Sequence, residues 1–209
     1  MAGDRTPLVK DTVLFDLGNT LVQYYERIEF PGILREAIAA VQEQLEQQGL
    51  LRVSPAEVWQ RVHAEDYESK DHRVRPLEGR LARIFRLEGA PPSVMEVLCC
   101  RFLAPILALG RCYPEAIPVL RSLKGRGMRT AIVSNTPWGS PADLWRREID
   151  RLGLGAWVDA SVFCRDVGWR KPASPIFVLA LDRLGANASR CIFVGDDPRW
   201  DLPGAHAVG

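Results

Sequence analysis

The sequence predicts an α/β protein, a parallel-sheet core interrupted early by a block of helices. Three observations carry that prediction. The short apolar runs Thr12–Phe15, Thr130–Val133 and Cys191–Val194 each stop abruptly at polar residues, as strands buried in a parallel sheet do. Helical patterns separate the later runs, an alternation that builds right-handed crossovers. Between Tyr24 and Gly110 no strand-like run occurs, and helical periodicity fills the interval. The expected division is a core from residues 1–22 and 111–209 with an inserted helical domain from 23–110.

Residues 1–11 read as a polar tail. The first strand then runs straight into Asp16, followed by Gly18, Asn19 and Thr20 in a turn. The first polar residue after such a strand emerges at the carboxyl edge of the sheet, where open α/β sheets bind ligands. Asp16 is therefore either a functional group or a helix cap. Pro31 can open the first inserted helix, and Leu34, Ile38, Val41 and Leu45 form its apolar stripe before Gly49. Ser54-Pro55-Ala56-Glu57 is a capping box with proline in the first turn. Leu77, Leu81, Ile84 and Phe85 mark a third helix, with Gly89 as its stop. Ser93-Val94-Met95-Glu96 is a second capping box; Leu98, Phe102 and Ile106 continue its face, and Pro105 is expected to kink or end it. Four amphipathic helices without a sheet of their own make a small bundle.

The core resumes near Tyr113. Pro114 opens a helix to about Lys124, and Gly125 and Gly127 turn the chain into the strand that delivers Ser134 and Asn135. Ser140-Pro141-Ala142-Asp143 starts a helix whose Leu144, Trp145, Ile149 and Leu152 face inward. Ser161–Cys164 is a weaker strand. Ser174-Pro175 opens a helix that Gly185 ends, and the last strand delivers Gly195, Asp196 and Asp197.

Lys+Arg 27 against Asp+Glu 26 gives a formal charge of +1 over 209 residues, so neither a polyanion nor a membrane surface is implied as a partner. No run approaches membrane-spanning length. The cysteines Cys99, Cys100, Cys112, Cys164 and Cys191 lack metal-ligand spacing and read as free thiols of a cytoplasmic protein. His63, His72 and His206 share no ligand spacing. No arginine cluster interleaves with aromatics in a way that suggests nucleic acid. Lysine is scarce (Lys10, Lys70, Lys124 and Lys171), which makes Lys171-Pro172, in a loop before a helix, more notable. Carboxylates, a hydroxyl, an amide and one lysine converging on a sheet edge suit a hard divalent cation such as Mg²⁺ together with a phosphate.

FDLGNT, VSNT, WRKP and VGDDPRWD, in that order and at these separations, resemble the four motifs of the haloacid dehalogenase superfamily, in its phosphatase-like branch with a helical cap inserted after the first motif. The resemblance covers nearly the whole chain. It implies a three-layer, Rossmann-like core and hydrolysis of a small phosphorylated substrate by a monomer or homodimer. Asp16 matches the nucleophile, Ser134 the phosphate-binding hydroxyl and Lys171 the cation that steadies the phosphoryl oxygens. Asp196 matches the metal ligand, helped by Asp16 and the backbone carbonyl of Gly18, with Asp201 as a supporting or water-mediated contact. Leu17, Thr20, Asn135 and Tyr24 are the remaining phosphate-side or substrate-side candidates, and Asp197 is a possible cap of the next helix. Family members usually continue past the position of Gly209 with another strand and helix, so a trimmed chain with one sheet edge less covered is expected.

One departure stands out. Phosphatases of this superfamily carry a second aspartate two residues after the nucleophile, where this chain has Gly18. That acid protonates the leaving oxygen and then activates water. Without it, three readings stay open: a phosphatase favouring leaving groups that need little protonation, such as acyl or sugar-1-phosphates; a proton supplied by Tyr24, Tyr25 or His63; or a binding protein without turnover. Carbon–halogen cleavage is a rival that needs no Mg²⁺ site. Phosphonate cleavage is another, and would need a cap lysine where only Lys70 exists, among Glu65, Asp66, Glu68 and Asp71. Trp138 and Trp169 flank the second and third motifs and are candidates to line the pocket. Asn19 stands where glycine is usual; asparagine tolerates the positive φ such a turn requires.

Overall fold

A computed structural model describes residues 10–65 and 70–209. Most of the expected polar tail, and Asp66 and Glu68 beside Lys70, lie outside the described residues. The chain runs β1 (Thr12–Phe15), β2 (Val22–Gln23), α1 (Phe30–Gln47), α2 (Pro55–Ala64), α3 (Leu77–Phe85), α4 (Pro92–Leu109), β3 (Arg111–Cys112), α5 (Ala116–Gly125), β4 (Arg129–Ser134), α6 (Ala142–Arg151), β5 (Ala160–Phe163), α7 (Cys164–Val167), α8 (Ser174–Leu184), β6 (Cys191–Val194) and α9 (Pro198–Val208).

Four strands form one parallel sheet in the order β5-β4-β1-β6. Alternation along the strands divides the core into two layers. Val13, Phe15, Ile132 and Phe163 point to one face, in the cluster that includes Leu120 of α5 and Trp145 and Ile149 of α6. Leu14, Ala131, Val133 and Val162 point to the other, against Ile176, Phe177 and Ala180 of α8. Helices on both faces make the three layers that the resemblance implies. Edge strand β6 leaves Ile192 and Val194 exposed.

In the inserted stretch α1 packs on α4, α4 on α3 and α3 on α2. Leu34, Ile38, Val41 and Leu45 are buried on one face of α1, as their spacing requires. Ser54 caps α2 by accepting a hydrogen bond from the Glu57 N–H.

Several expected boundaries are corrected. α3 ends at Phe85, capped by Arg86 in the left-handed conformation at φ 54°, before Gly89 is reached. Ser93 lies inside α4 and caps nothing, because Pro92 already occupies the first turn. Pro105 does not stop α4, which continues to Leu109; burial of Phe102, Leu103 and Ile106 around it outweighs the roughly 3 kcal/mol that an interior proline costs. α5 starts at Ala116, two residues after Pro114. Cys164 leaves the strand and begins α7, because the Asp166 carboxylate accepts the Phe163 N–H and turns the chain into a helix. By length and composition α4 could cross a bilayer, contrary to the expectation that no run approaches that length; here its apolar residues pack into the core cluster beside α1 and α3.

The antiparallel pair β2–β3, with Val22 facing Cys112, is absent from the sequence expectation, since two-residue strands have no readable period. It joins the two ends of the helical insert. A second tie forms where residues 72–74 run antiparallel to 168–170, with Val74 N–H donating to Gly168 O (2.9 Å) and Arg170 N–H to His72 O (2.8 Å). Arg165 adds an ion pair to Glu78 of α3 at 2.8 Å. Gly139, at φ 65°, permits this contact, because a Cβ there would lie 2.3 Å from the Arg75 carbonyl oxygen.

Candidate active site

The chain extends outward from β1 through β4 to β5, then returns across the sheet to place β6 on the other side of β1. The crevice at the carboxyl ends of β1 and β6 is thus the topological switch point of the sheet. Asp16 sits there, its N–H bonded to Val194 O at 2.9 Å. Behind it the Leu17 carbonyl accepts the N–H groups of Leu21 and Val22, closing the turn. Asn19 takes φ 55°, the strained position that asparagine tolerates, and its amide donates to Tyr25 O.

Lys171 is the centre of the site. Only 1% exposed, it donates from Nζ to Asp16 Oδ1 at 2.7 Å and to Asp201 Oδ1 at 2.6 Å. Burial works against its charge, but the two facing carboxylates outweigh burial and raise its pKa. The Asn135 side chain accepts the Lys171 N–H and donates back to the Lys171 carbonyl, tying the end of β4 to the lysine loop. Asp201, 2% exposed, also accepts the Asp197 N–H. Gly195 is required here, since a Cβ would lie 2.1 Å from Asp201 Oδ2.

Asp196 completes the acidic group on the more exposed side. One oxygen from each of Asp16, Asp196 and Asp201 lies within 4.8 Å of the others. Burial, then the charges of Asp16 and Asp201, raises the Asp196 pKa. Three carboxylates this close together, in a cavity with room for water, are a donor set that fits Mg²⁺.

These side chains, with Leu17, Gly18, Tyr24, Ser134 and Asn135, line a cavity of about 210 Å³. The structure therefore gathers the residues matched to the nucleophile, hydroxyl, lysine and metal-ligand positions, and Leu17, Asn135 and Tyr24 line the same cavity. Thr20 does not. The turn carries it behind the cavity, and its buried Oγ1 has no hydrogen-bond partner among the described residues. Asp201 bonds directly to Lys171, a tighter role than the peripheral one expected. Asp197 accepts the Arg199 N–H and caps α9.

Of the three groups considered as replacements for the missing acid, Tyr24 offers only its ring to the cavity. Its hydroxyl is buried, and burial followed by the neighbouring Glu148 charge holds the phenol well above its ordinary pKa. His63 lies on α2 with its ring against Trp59. Tyr25 does line the cavity; burial raises its pKa to about 12, so its phenol carries a proton at neutral pH. Lys70 is exposed.

Trp145 and Trp200 also form walls; Trp200 lies inside the VGDDPRWD motif and Trp145 on the inward face of α6, but neither is expected from the sequence to line the cavity. Trp138 lines an adjoining cavity of about 510 Å³ and packs against Phe102; Trp169 stacks under Arg73.

Residues 10–209 match the family described as haloacid dehalogenase-like hydrolase, and the chain belongs to that family of enzymes. Among its relatives it is 29% identical to the ribulose-1,5-bisphosphate 5-phosphatase of Halopiger xanaduensis, over 94% of this chain and 81% of that protein. It is 33% identical to the phosphoglycolate phosphatase of Rhodospirillum rubrum, over 59% of this chain and 51% of the relative. Among solved structures, the 2-haloacid dehalogenase of Pseudomonas syringae superposes with a TM-score of 0.63 at 25% identity, covering 96% of this chain and 84% of that one. A phosphatase from Thermococcus onnurineus has a TM-score of 0.58 at 23% identity over 95% and 83%, a likeness of fold.

Proposed function

We propose that the protein is a Mg²⁺-dependent phosphatase of small metabolites that works through an aspartyl-phosphate on Asp16. The observation that carries this reading is the buried Lys171 held between Asp16 and Asp201, with Asp196 close by. The relatives named as phosphatases support it. The Asp16 carboxylate attacks phosphorus, the bond from phosphorus to the leaving oxygen breaks, and water then splits the acyl phosphate, dividing one hard step into two. Lys171 offsets charge on the phosphoryl oxygens, and Ser134 and Asn135 bind them. Bound to Asp16, Asp196 and Asp201, Mg²⁺ would supply charge neutralisation at the phosphoryl group. Helices α1–α4, residues 23–110, serve as the cap over this cavity, and five free thiols fit a reducing cytoplasm.

The test is phosphate release from a panel of phosphorylated metabolites, including acyl and sugar-1-phosphates. Release that a chelator abolishes is expected; no release from any of them with Mg²⁺ present would overturn the reading.

Gly18 narrows the expected substrates, because no carboxylic acid faces the leaving oxygen from that position. The nearest non-neighbouring atom to a Cβ there is Tyr24 Cδ2 at 3.9 Å, so a side chain fits. Gly18→Asp is expected to speed hydrolysis of alkyl phosphates by up to about 10²–10⁴ while leaving acyl phosphates little changed, read as the ratio of kcat values. Equal effects on both would remove leaving-group protonation as the limitation.

Asp196 gives a stability test. Its raised pKa means that the folded state disfavours its charge, so without metal its contribution grows more favourable as pH falls through the carboxylate range. Asp196→Asn is expected to raise the Tm of the metal-free protein by a few degrees at neutral pH and to abolish the Tm gain on adding Mg²⁺. Calorimetry with and without chelator reads both.

A further inference from the structure

The second cavity, about 510 Å³, adjoins the candidate active site, and residues including Asn19, Tyr25, Asn135, Asp196, Asp197 and Trp200 line both. Six guanidinium side chains line it: Arg27, Arg73, Arg75, Arg80, Arg170 and Arg199. Among the described residues two carboxylates line it, Asp196 and Asp197. Arg75 is paired with Asp71 at 2.8 Å, Arg80 with Glu65 at 3.1 Å, and Arg199 with Asp197. Arg73 forms no ion pair among the described residues; its guanidinium lies 4.1 Å from the centroid of the Trp169 ring. Stacking on an indole fixes the plane of a guanidinium while leaving its in-plane N–H groups free to meet an acceptor. Arg170, beside Trp169 on the same tie between insert and core, lies over Trp200 at 5.4 Å. A concave wall with an excess of positive groups concentrates anions. A planar fork of donors suits phosphate oxygens in particular.

We infer that the substrate carries a second phosphate monoester, remote from the one that is cleaved, and that Arg73 holds it with help from Arg170. This rests on the phosphatase reading of the adjoining cavity, and it narrows that reading to small bisphosphates. The two cavities together set the arrangement: one phosphate beside Lys171, the other under the arginine wall.

The test is calorimetric binding to the full chain carrying Asp16→Asn, so that no ligand is consumed, with Mg²⁺ present. The probes are straight-chain diol bisphosphates of roughly three to six carbons, the matching monophosphates, and acids bearing a carboxylate in place of the second phosphate. At least one bisphosphate is expected to bind about tenfold or more tightly than its monophosphate. Adding Arg73→Ala is expected to erase that preference to within about threefold while leaving monophosphate binding unchanged, and Arg73→Lys to restore part of it. Equal binding of bisphosphates and monophosphates overturns the inference. So does an Arg73→Ala effect of the same size on both, which would make Arg73 a structural part of the tie. A carboxylate arm as tight as the bisphosphate overturns the assignment to phosphate. Failure of the hydrolase reading is distinguishable, since wild-type protein would then release phosphate from no compound while the binding preference and its loss in Arg73→Ala persisted.

Discussion

Asparagine at position 16 is expected to lower phosphate release by at least about 10³-fold and to leave no acid-quenchable phosphoprotein. The amide has nearly the shape of the carboxylate but is a poor nucleophile toward phosphorus. Its position at the end of β1 is fixed by the backbone bond to Val194, so the variant keeps its geometry. Lys171 also retains Asp201 at 2.6 Å, so the lysine does not become an isolated buried charge. Folding measured by circular dichroism should therefore be little altered while rapid-quench phosphate release collapses. A variant retaining a tenth of the wild-type rate would show that Asp16 is not the nucleophile.

Lys171→Met has the second large effect, and it falls on stability as well as on rate. Methionine fills a similar volume but leaves the Asp16 and Asp201 carboxylates facing each other without their shared cation. Removing one partner from a buried ionic group costs about 3–5 kcal/mol, roughly 6–20 °C in Tm for a chain of this size. Because the folded-state pKa of Lys171 is raised, the stabilisation it contributes is fully present below its ordinary value of 10.5 and is lost as pH rises through the raised one. The wild-type protein should thus show an alkaline stability loss that the methionine variant lacks. A Tm unchanged by the substitution would contradict the buried bridging geometry.

Much of this site is legible in the sequence, for a physical reason. Asp16, Ser134 and Asp196 each come at or just after the end of an apolar strand of four to six residues, and parallel strands bring their carboxyl ends to one edge. Lys171 can be picked out because lysine is rare in this chain. The aromatic and arginine walls are not legible. Arg73, Arg170, Trp138 and Trp200 come from four separate segments; the pairing of residues 72–74 with 168–170, the Arg170–Trp200 contact and the packing of Trp138 on Phe102 are among the contacts that bring them together. Such pairings join irregular segments that carry no hydrophobic period. The sequence shows no arginine–aromatic cluster of the kind sought; the fold assembles one in space. Thr20 is misplaced by pattern alone because a turn residue's side-chain direction depends on φ and ψ at its neighbours, which one-dimensional reading does not supply. Pro105 and Ser93 mislead because local propensity yields to burial in a helix as apolar as α4.

Among the described residues, two backbone pairings moor the helical insert to the core, the β2–β3 stem and the short ribbon from 72–74 to 168–170. A body on a single stem can swing as a whole, with the stem as its pivot. Two anchorages remove that freedom, so an opening movement must first release the ribbon, whose core half runs directly into Lys171. Access to the interior and the placement of its buried ammonium are consequently joined in one backbone segment, and loosening the first disturbs the second.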